Sequence, residues 1–354
     1  MTVSLLTRLG IQYPIIQAPM AGTSTVALAA AVSNAGGLGS LGLGSCSVDQ
    51  ARQQITELKQ ATAQPFNVNF FCHQTAPDDA VRNQHWLDIL QPYFAEFSAS
   101  PPKQITAAYP SFIDNDAMLN VLVAERPAVV SFHFGLPSQA FIDTLQQAGI
   151  VLLGCATNVA EANAIVSAGL DGIIAQGYEA GGHRGVFEPE QDVELGLFGL
   201  LQLLQNQCPL PVIAAGGIMH GQAIAQAMQM GASAAQLGTA FILCPESAAS
   251  PAYRAQLSGT KAYNTGVTSV ISGRSARGLV NRMHQELAEH HASVSAYPGA
   301  YSAGKALHMV ASQQGCDEFA PYWAGQGAPL ARALPAAELM AHLIQEWQQA
   351  SVDQ

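Results

Sequence analysis

The sequence predicts an α/β chain folded as a (β/α)8, or TIM, barrel with a smaller, mainly helical lobe. Three observations carry that expectation. Short apolar runs alternate with alanine-rich, helix-like segments from residue 14 to residue 241. The runs are nearly continuous in apolar residues, as parallel strands covered on both faces should be. Eight can be counted, and several end in polar residues, the position where barrel enzymes gather their sites. A doubly wound sheet is the alternative. LGSLGLGSC (38–46) lacks an ordered G-x-G-x-x-G opening a helix, so a dinucleotide-binding domain is not supported.

In chain order, PIIQAP (14–19) is the first strand. The helix VALAAAVSNAG (26–36) follows, with Ser24 or Thr25 as N-cap and Gly36 as stop. LGSLG (38–42) precedes the helix SVDQARQQITELKQA (47–61), and FNVNFF (66–71) is the third strand. The interval from Cys72 to Pro127 is long for a loop, and HWLDILQPYFAEF and NDAMLNVLVAE make it a crossover with one added helix. VVSFHFG (129–135), VLLGCAT (151–157), DGIIAQG (171–177), PVIAAGG (211–217) and AAQLGTAF (234–241) supply strands four to eight. Helices fall between them at 138–149, 159–169, 197–208 and 220–231. Further on, RGLVNRMHQELAEH (277–290) and GKALHMVASQQG (304–315) read as amphipathic helices, and ALPAAELMAHLIQEWQQA (333–350) as a terminal helix returning to the barrel wall. The expected division is a barrel over 1–251, a substrate-capping lobe over 252–320 and a returning segment over 321–354.

Composition narrows the function. A net charge of −11 with only 14 Lys and Arg repels phosphate backbones, so no nucleic-acid partner is expected. The first residues, MTVSLLTRLGIQYP, lack a basic segment followed by a long apolar core, and no apolar run is long enough for a bilayer. A cytoplasmic protein with no membrane and no obligate protein partner is the expectation. None of the six cysteines forms a C-x-x-C pair, and Cys155 and Cys244 lie in apolar context as buried free thiols. H-E-x-x-H and nucleophile-elbow motifs are missing, so no metal or serine-hydrolase chemistry is expected.

The most informative stretch is QGYEAGGHRG (176–185), leaving the sixth strand. Gln176 is an amide at a strand end, Gly181 and Gly182 permit close backbone approach, and His183 can exchange a proton near neutral pH. Glu179 is expected to be structural. Arg184 either neutralises a phosphate or pairs on the surface. AGGIMHG and QLGTAF follow strands seven and eight, where barrels bind phosphate through backbone N–H groups. Gly216, Gly217, Gly238 and Thr239 could form that cradle, which suits FMN better than a dinucleotide. In QAPMAG, Pro19 and Gly22 shape the backbone and Met20 offers a soft surface for a ring. Asn69 could meet a heteroaromatic edge or tie a loop. His133 is a core histidine or a pocket group, Tyr109 is less obvious, and AYPGAYSAGK, with the Tyr297 and Tyr301 phenols and the Lys305 ammonium, is either an anion-binding segment or a solvated lobe surface. Arg274 and Arg277 are expected to pin the lobe to the barrel.

These motifs resemble the nitronate monooxygenases, formerly called 2-nitropropane dioxygenases. The resemblance runs from QAPMAG and STVALAAAVSNAGGLGSLG through NVNFF, SFHFGLP, QGYEAGGHRG, IAAGGI and QLGTAF to SGRSARGLVN. Thr23 and Val26 depart from the Gly and Pro that relatives often carry. The resemblance implies an FMN enzyme using O2 and a small anionic nitronate, propionate 3-nitronate in the class it is most similar to. It implies one-electron transfer to the flavin, and an aldehyde (malonic semialdehyde) with nitrite or nitrate as products. It places flavin contacts on Asn69, Gln176, Gly181, Gly217, Gln236, Leu237, Gly238 and Thr239, with Ala18, Pro19, Met20, Ala21 and Gly22 beside the ring; Gly182 and Gly216, the neighbouring loop glycines, are counted with the cofactor site. It places the catalytic role on His183 and the substrate pocket on Tyr109, His133, Tyr297, Tyr301 and Lys305. The alternatives are an NAD(P)H-dependent quinone reductase or enoyl-thioester reductase on the same barrel, and a non-enzymatic phosphate-ligand barrel.

Overall fold

The computed structural model describes residues 4–77, 79–107 and 109–352. Residues 1–3 and 353–354, the outer ends of the assigned segments, lie outside the described residues. Eight parallel strands form the barrel: β1 (Ile15–Gln17), β2 (Gly39–Gly42), β3 (Phe66–Phe71), β4 (Val129–His133), β5 (Val151–Ala156), β6 (Gly172–Gln176), β8 (Val212–Ala215) and β9 (Ala234–Leu237). Their order is β1-β9-β8-β6-β5-β4-β3-β2. A parallel bridge between Ile16 and Leu38 brings β1 to the start of β2 and nearly closes the ring.

Local chemistry explains the alternation. Thr25, Ser47, Ser138 and Asn158 each accept a backbone N–H of the first turn of the helix they open, and Ser47 with Gln50 completes a capping box. Thr25, not Ser24, is the cap of the helix Val26–Asn34. That helix lies directly on β2, because a Cβ on Gly39 would stand 1.9 Å from the Ala29 carbonyl oxygen. Inside and around the barrel, Ile15, Val68, Val130, Ile173 and Leu200 are fully buried, each such side chain contributing about 1.5–3 kcal/mol. The C-terminal helix Ala336–Val352 joins the same core through Leu339, Met340 and Leu343. Its Glu346 accepts the Gly221 N–H at 2.7 Å.

A second core sits above the barrel mouth. It joins Trp86, Leu90 and Phe94 of the crossover helix Ala80–Glu96 to Ile271, Met283, Leu307 and Phe319. Beside it lies a three-stranded antiparallel sheet of β10 (Thr265–Thr268), β11 (Ala276–Leu279) and the short β7 (Gly182–His183).

This sheet corrects two sequence expectations. Residues 277–290 do not form one helix. Ala276–Leu279 is β11, and only Arg282–Glu286 is α-helical, capped by Asn281. Gly278 is the reason: a Cβ there would lie 2.9 Å from the Tyr322 carbonyl oxygen, and the strand bridges Trp323 at this point. The later helix spans Gly299–Ser312, so it begins before residue 304 and carries Tyr301 and Lys305 on its first turns. All six cysteines are free, with Cys155 and Cys244 buried. Among the described residues, no helix is long and apolar enough to cross a membrane.

Candidate active site

The strands end at one mouth, where a cavity of about 440 Å³ opens. Its lining includes Ala18, Pro19, Met20, Ala21 and Gly22 after β1, and Asn69 on β3. Gln236, Gly238 and Thr239 at the end of β9 lie beside that β1 segment, and Gln176, Gly181, Gly182 and His183 after β6 and Gly216 and Gly217 after β8 continue the lining. Tyr109, His133, Tyr301 and Lys305 complete the wall. Two expected residues lie elsewhere. Leu237 sends its side chain into the barrel core, while its carbonyl accepts the Ala18 N–H at 2.8 Å. Tyr297 is buried one layer behind, its hydroxyl 2.6 Å from that of Tyr109.

The loop after β1 is held from within. Ser24 Oγ accepts from Met20 N–H and from Gln17 Nε2, both at 2.9 Å, while Gln17 Oε1 accepts the Ser40 N–H. Gly22 has φ of 77°, a turn a side chain would strain. Asn69 Nδ2 donates to the Ser131 carbonyl and hydroxyl, so its amide ties β3 to β4.

The loop after β6 is organised by Gln176 and Arg184. Gln176 Nε2 donates to the His183 carbonyl at 3.0 Å, and its Oε1 accepts the Gly185 N–H at 2.7 Å. Both ends of this amide are thus engaged by its own loop. His133 Nε2 donates to the same His183 carbonyl at 3.2 Å, so His133 is at once a cavity residue and a backbone tie. Arg184 takes neither of its expected roles. It is 1% exposed, pairs with Asp192 through Nε and Nη2, and donates to the Gly177 carbonyl. Breaking a buried pair strands a charge. Asp192→Ala should therefore lower stability by about 3–5 kcal/mol, read as a shifted urea midpoint; an unchanged midpoint would refute the pair's importance. Glu179 is structural, accepting the Leu197 N–H at the start of a helix. Arg274 and Arg277 pin the upper segments to the barrel loops, through the Val186 and Phe187 carbonyls and the Tyr178 carbonyl.

His183 is enclosed by rings. Trp323, Tyr297, Phe134 and Tyr301 stand 5.3–6.0 Å from it, centre to centre. Burial, with His133, Arg274 and Lys305 nearby, lowers its pKa to about 3. Burial likewise lowers His133 to about 4. Both rings are neutral near pH 7. Lys305 Nζ sits 4.2 Å from the Tyr301 ring centre, and Trp323 Nε1 donates to the Tyr301 hydroxyl at 3.3 Å. Sequence reasoning missed Trp323, Ser272, which lies 2.9 Å from His183 Nε2, and Phe134. The last holds a φ of 72° and supports the Arg274 guanidinium at 4.4 Å; SFHFG gave a cue in the glycine that follows it.

The donor set suits a flat, amide-rich ring with an anionic tail. Gln236 Oε1 is a buried acceptor with no partner among the described residues, on a residue that lines the cavity. Gly216 and Gly217 have φ of 126° and 70°, leaving a bare backbone after β8, and a Cβ on Gly238 would meet Ala18 Cβ at 3.4 Å and Met20 Sδ at 3.7 Å. A cavity of this volume falls in the range used for cofactors.

Fold and cavity together define a TIM barrel with a cofactor-sized site at the C-terminal ends of its strands, the arrangement of a barrel enzyme. Known proteins narrow this further. A nitronate monooxygenase from Pseudomonas aeruginosa is 52% identical over 340 residues, 96% of this chain and 97% of that relative. The solved structure of a nitroalkane oxidase from Streptomyces ansochromogenes superposes with a TM-score of 0.90 at 39% identity, covering 99% of both chains. FabK from Thermotoga maritima superposes at 0.76 and 28% identity, over 100% of this chain and 98% of its own. The family model described as nitronate monooxygenase matches residues 3–346, and the chain belongs to that family. The reading as a non-enzymatic phosphate-binding barrel therefore falls away.

Proposed function

We propose that this protein is an FMN-dependent nitronate monooxygenase that oxidises small alkyl nitronates with O2, propionate 3-nitronate foremost, to an aldehyde (here malonic semialdehyde) and nitrite or nitrate. The observation that carries the reading is one cavity holding a neutral His183, the Tyr109 phenol, the Lys305 ammonium and the unpartnered Gln236 acceptor.

The glycines at 216, 217 and 238 and Thr239 would cradle the phosphate. Gln236 and Asn69 would meet the polar edge of the ring, and Met20 its face. Gly181 and Gly182 let the loop approach closely. Gln176 acts by holding the His183 carbonyl. FMN supplies, when bound, an acceptor for electrons from the nitronate carbon and a route for them to O2.

Lys305 would take the substrate carboxylate in a charge-assisted contact, offsetting its desolvation. Tyr109 and Tyr301 would donate to nitro oxygens, with Tyr297 holding the Tyr109 hydroxyl from behind. His183 would receive the proton when a neutral nitroalkane is used; a nitronate arrives deprotonated and needs no base. The segment 252–320 carries Tyr301 and Lys305, and so would cap the substrate.

An FMN-dependent NAD(P)H:quinone reductase or enoyl-thioester reductase on the same barrel is the second reading. An anaerobic titration separates the two. The purified protein should be yellow and released flavin should be FMN. Propionate 3-nitronate should bleach the flavin, whereas NAD(P)H should not. Rapid bleaching by NAD(P)H with none by nitronate would replace the proposal with the reductase.

A further inference from the structure

We propose that Ser272 is a positioning residue that fixes His183 as the Nε2–H tautomer and so makes Nδ1 the nitrogen that receives the substrate proton. The inference rests on the catalytic reading of His183 given above. A serine hydroxyl has one proton to donate and lone pairs to accept. Ser272 Oγ lies 2.9 Å from the Arg274 carbonyl, which can only accept, so the hydroxyl proton goes there. The same oxygen accepts the Arg274 N–H at 3.3 Å. His183 Nε2 is 2.9 Å from this oxygen. With the serine proton already committed, Nε2 must carry the hydrogen. In a neutral imidazole the other nitrogen then has a free lone pair. Among the described residues His183 Nδ1 takes no hydrogen-bond partner, and the residue lines the cavity.

The acceptor is held as firmly as the ring. Ser272 is fully buried. Gly273, with φ of 89°, packs so closely that a Cβ would lie 2.6 Å from the Ser295 carbonyl oxygen. Gly304 presses the helix Gly299–Ser312 onto the Ile271 carbonyl in the same manner, at 2.7 Å. On the other side, β7 pairs His183 with Ala276 of β11, and the Arg184 N–H donates to the Ser275 carbonyl at 2.8 Å. The small sheet therefore sets the spacing between the imidazole and the hydroxyl that orients it. Two further interactions constrain the His183 carbonyl, from Gln176 and His133, leaving the ring's own tautomer to Ser272.

The proton balance follows. The α-carbon of a neutral nitroalkane gives its proton to His183 Nδ1, and the C–H electron pair moves into the nitro group to form the nitronate. The imidazolium so formed keeps its Nε2–H on Ser272. With a nitronate as substrate this step is absent, so the two substrate classes should depend on Ser272 unequally.

The test is nitrogen NMR of histidine-labelled holoprotein, with the His183 signals assigned by their loss in His183→Asn. His183 should be neutral and protonated on Nε2 across neutral pH. In Ser272→Ala the Nδ1–H form should appear, and kcat for nitroethane should fall about ten- to hundredfold with KM little changed. The loss on its nitronate should be smaller. Ser272→Thr, which keeps the hydroxyl, should retain the wild-type tautomer. Ser272→Ala added to His183→Asn should cost nothing further. An Nδ1–H signal in the wild type, or an unchanged tautomer and unchanged nitroethane rate in Ser272→Ala, would overturn the proposal. Should a variant not fold, the wild-type spectrum alone decides. Because that spectrum needs no substrate, it also separates a failure here from a failure of the nitronate reading.

Discussion

Replacing His183 with Asn should lower turnover about 10²–10⁴-fold while the protein still purifies with its flavin. Asparagine offers an amide where the imidazole stood, but no nitrogen that takes up a proton. The loop itself should survive, because Gln176 and His133 hold the backbone carbonyl of residue 183 and not its side chain. The flavin contacts proposed for Gln236, Asn69 and the glycine loops come from other strands. Flavin absorbance and steady-state rates on nitroethane and its nitronate would measure both halves, with the larger loss on nitroethane. Turnover equal to wild type would remove His183 from the mechanism. The pH profile supplies a second check. Burial lowers the His183 pKa to about 3, so the ring stays neutral well below the usual histidine range. The wild-type rate should therefore show no acid limb near pH 6.5 from this residue.

The barrel was legible in the sequence because its strands are buried on both faces. Runs such as GIIAQ and VIAA carry no alternation, and glycines and caps punctuate the helices between them. The upper layer was harder to read. In RGLVNRMHQELAEH the apolar residues Leu279, Val280, Met283 and Leu287 fall at helical spacing, although β11 occupies the first of them. What decides the matter is tertiary: the strand lies between β10 and β7, and Trp323 reaches Gly278 from a segment distant in sequence. The site divides in the same way. His183 and the glycine loops announced themselves by residue type and by position at strand ends, whereas Tyr109 and Lys305, away from any strand end, stood out far less, yet all of them line one cavity. Ser272 and Trp323 did not. A serine inside ISGRSARG reads as loop chemistry until the antiparallel pairing sets its hydroxyl against an imidazole. Arg184 misled because a charged residue beside glycines suggests a ligand, whereas here burial with Asp192 makes it the buckle of the loop.

Acidification should destabilise the fold well before its carboxylates are all neutral. Burial is the first cause of a lowered pKa in His73, His133 and His284, each to about 4, and in His183 to about 3. Arg274 adds repulsion at His73, His133 and His183. The folded values lie below the unfolded value of about 6.5. Between the two, the unfolded chain binds more protons, so stability rises with pH across that window. It is therefore fully present above about pH 6.5 and is lost as pH falls towards 4. His73 is 2% exposed, and its Nδ1 has no partner among the described residues. For that one group the loss is on the order of 2 kcal/mol by pH 5 and 3 kcal/mol by pH 4. Several such groups together rival the 5–15 kcal/mol that typically holds a domain. Urea midpoints should fall steeply between pH 7 and pH 5, and a flat profile would contradict the burial argument. His73→Phe isolates one contribution. The rings of Tyr297, Tyr109 and Phe134 surround this histidine at 5.0–6.4 Å, so a phenyl group fits the chemistry of its box. The variant should lose less stability than wild type between pH 7 and pH 5, by roughly 2 kcal/mol, because its unfolded state has one fewer proton to gain.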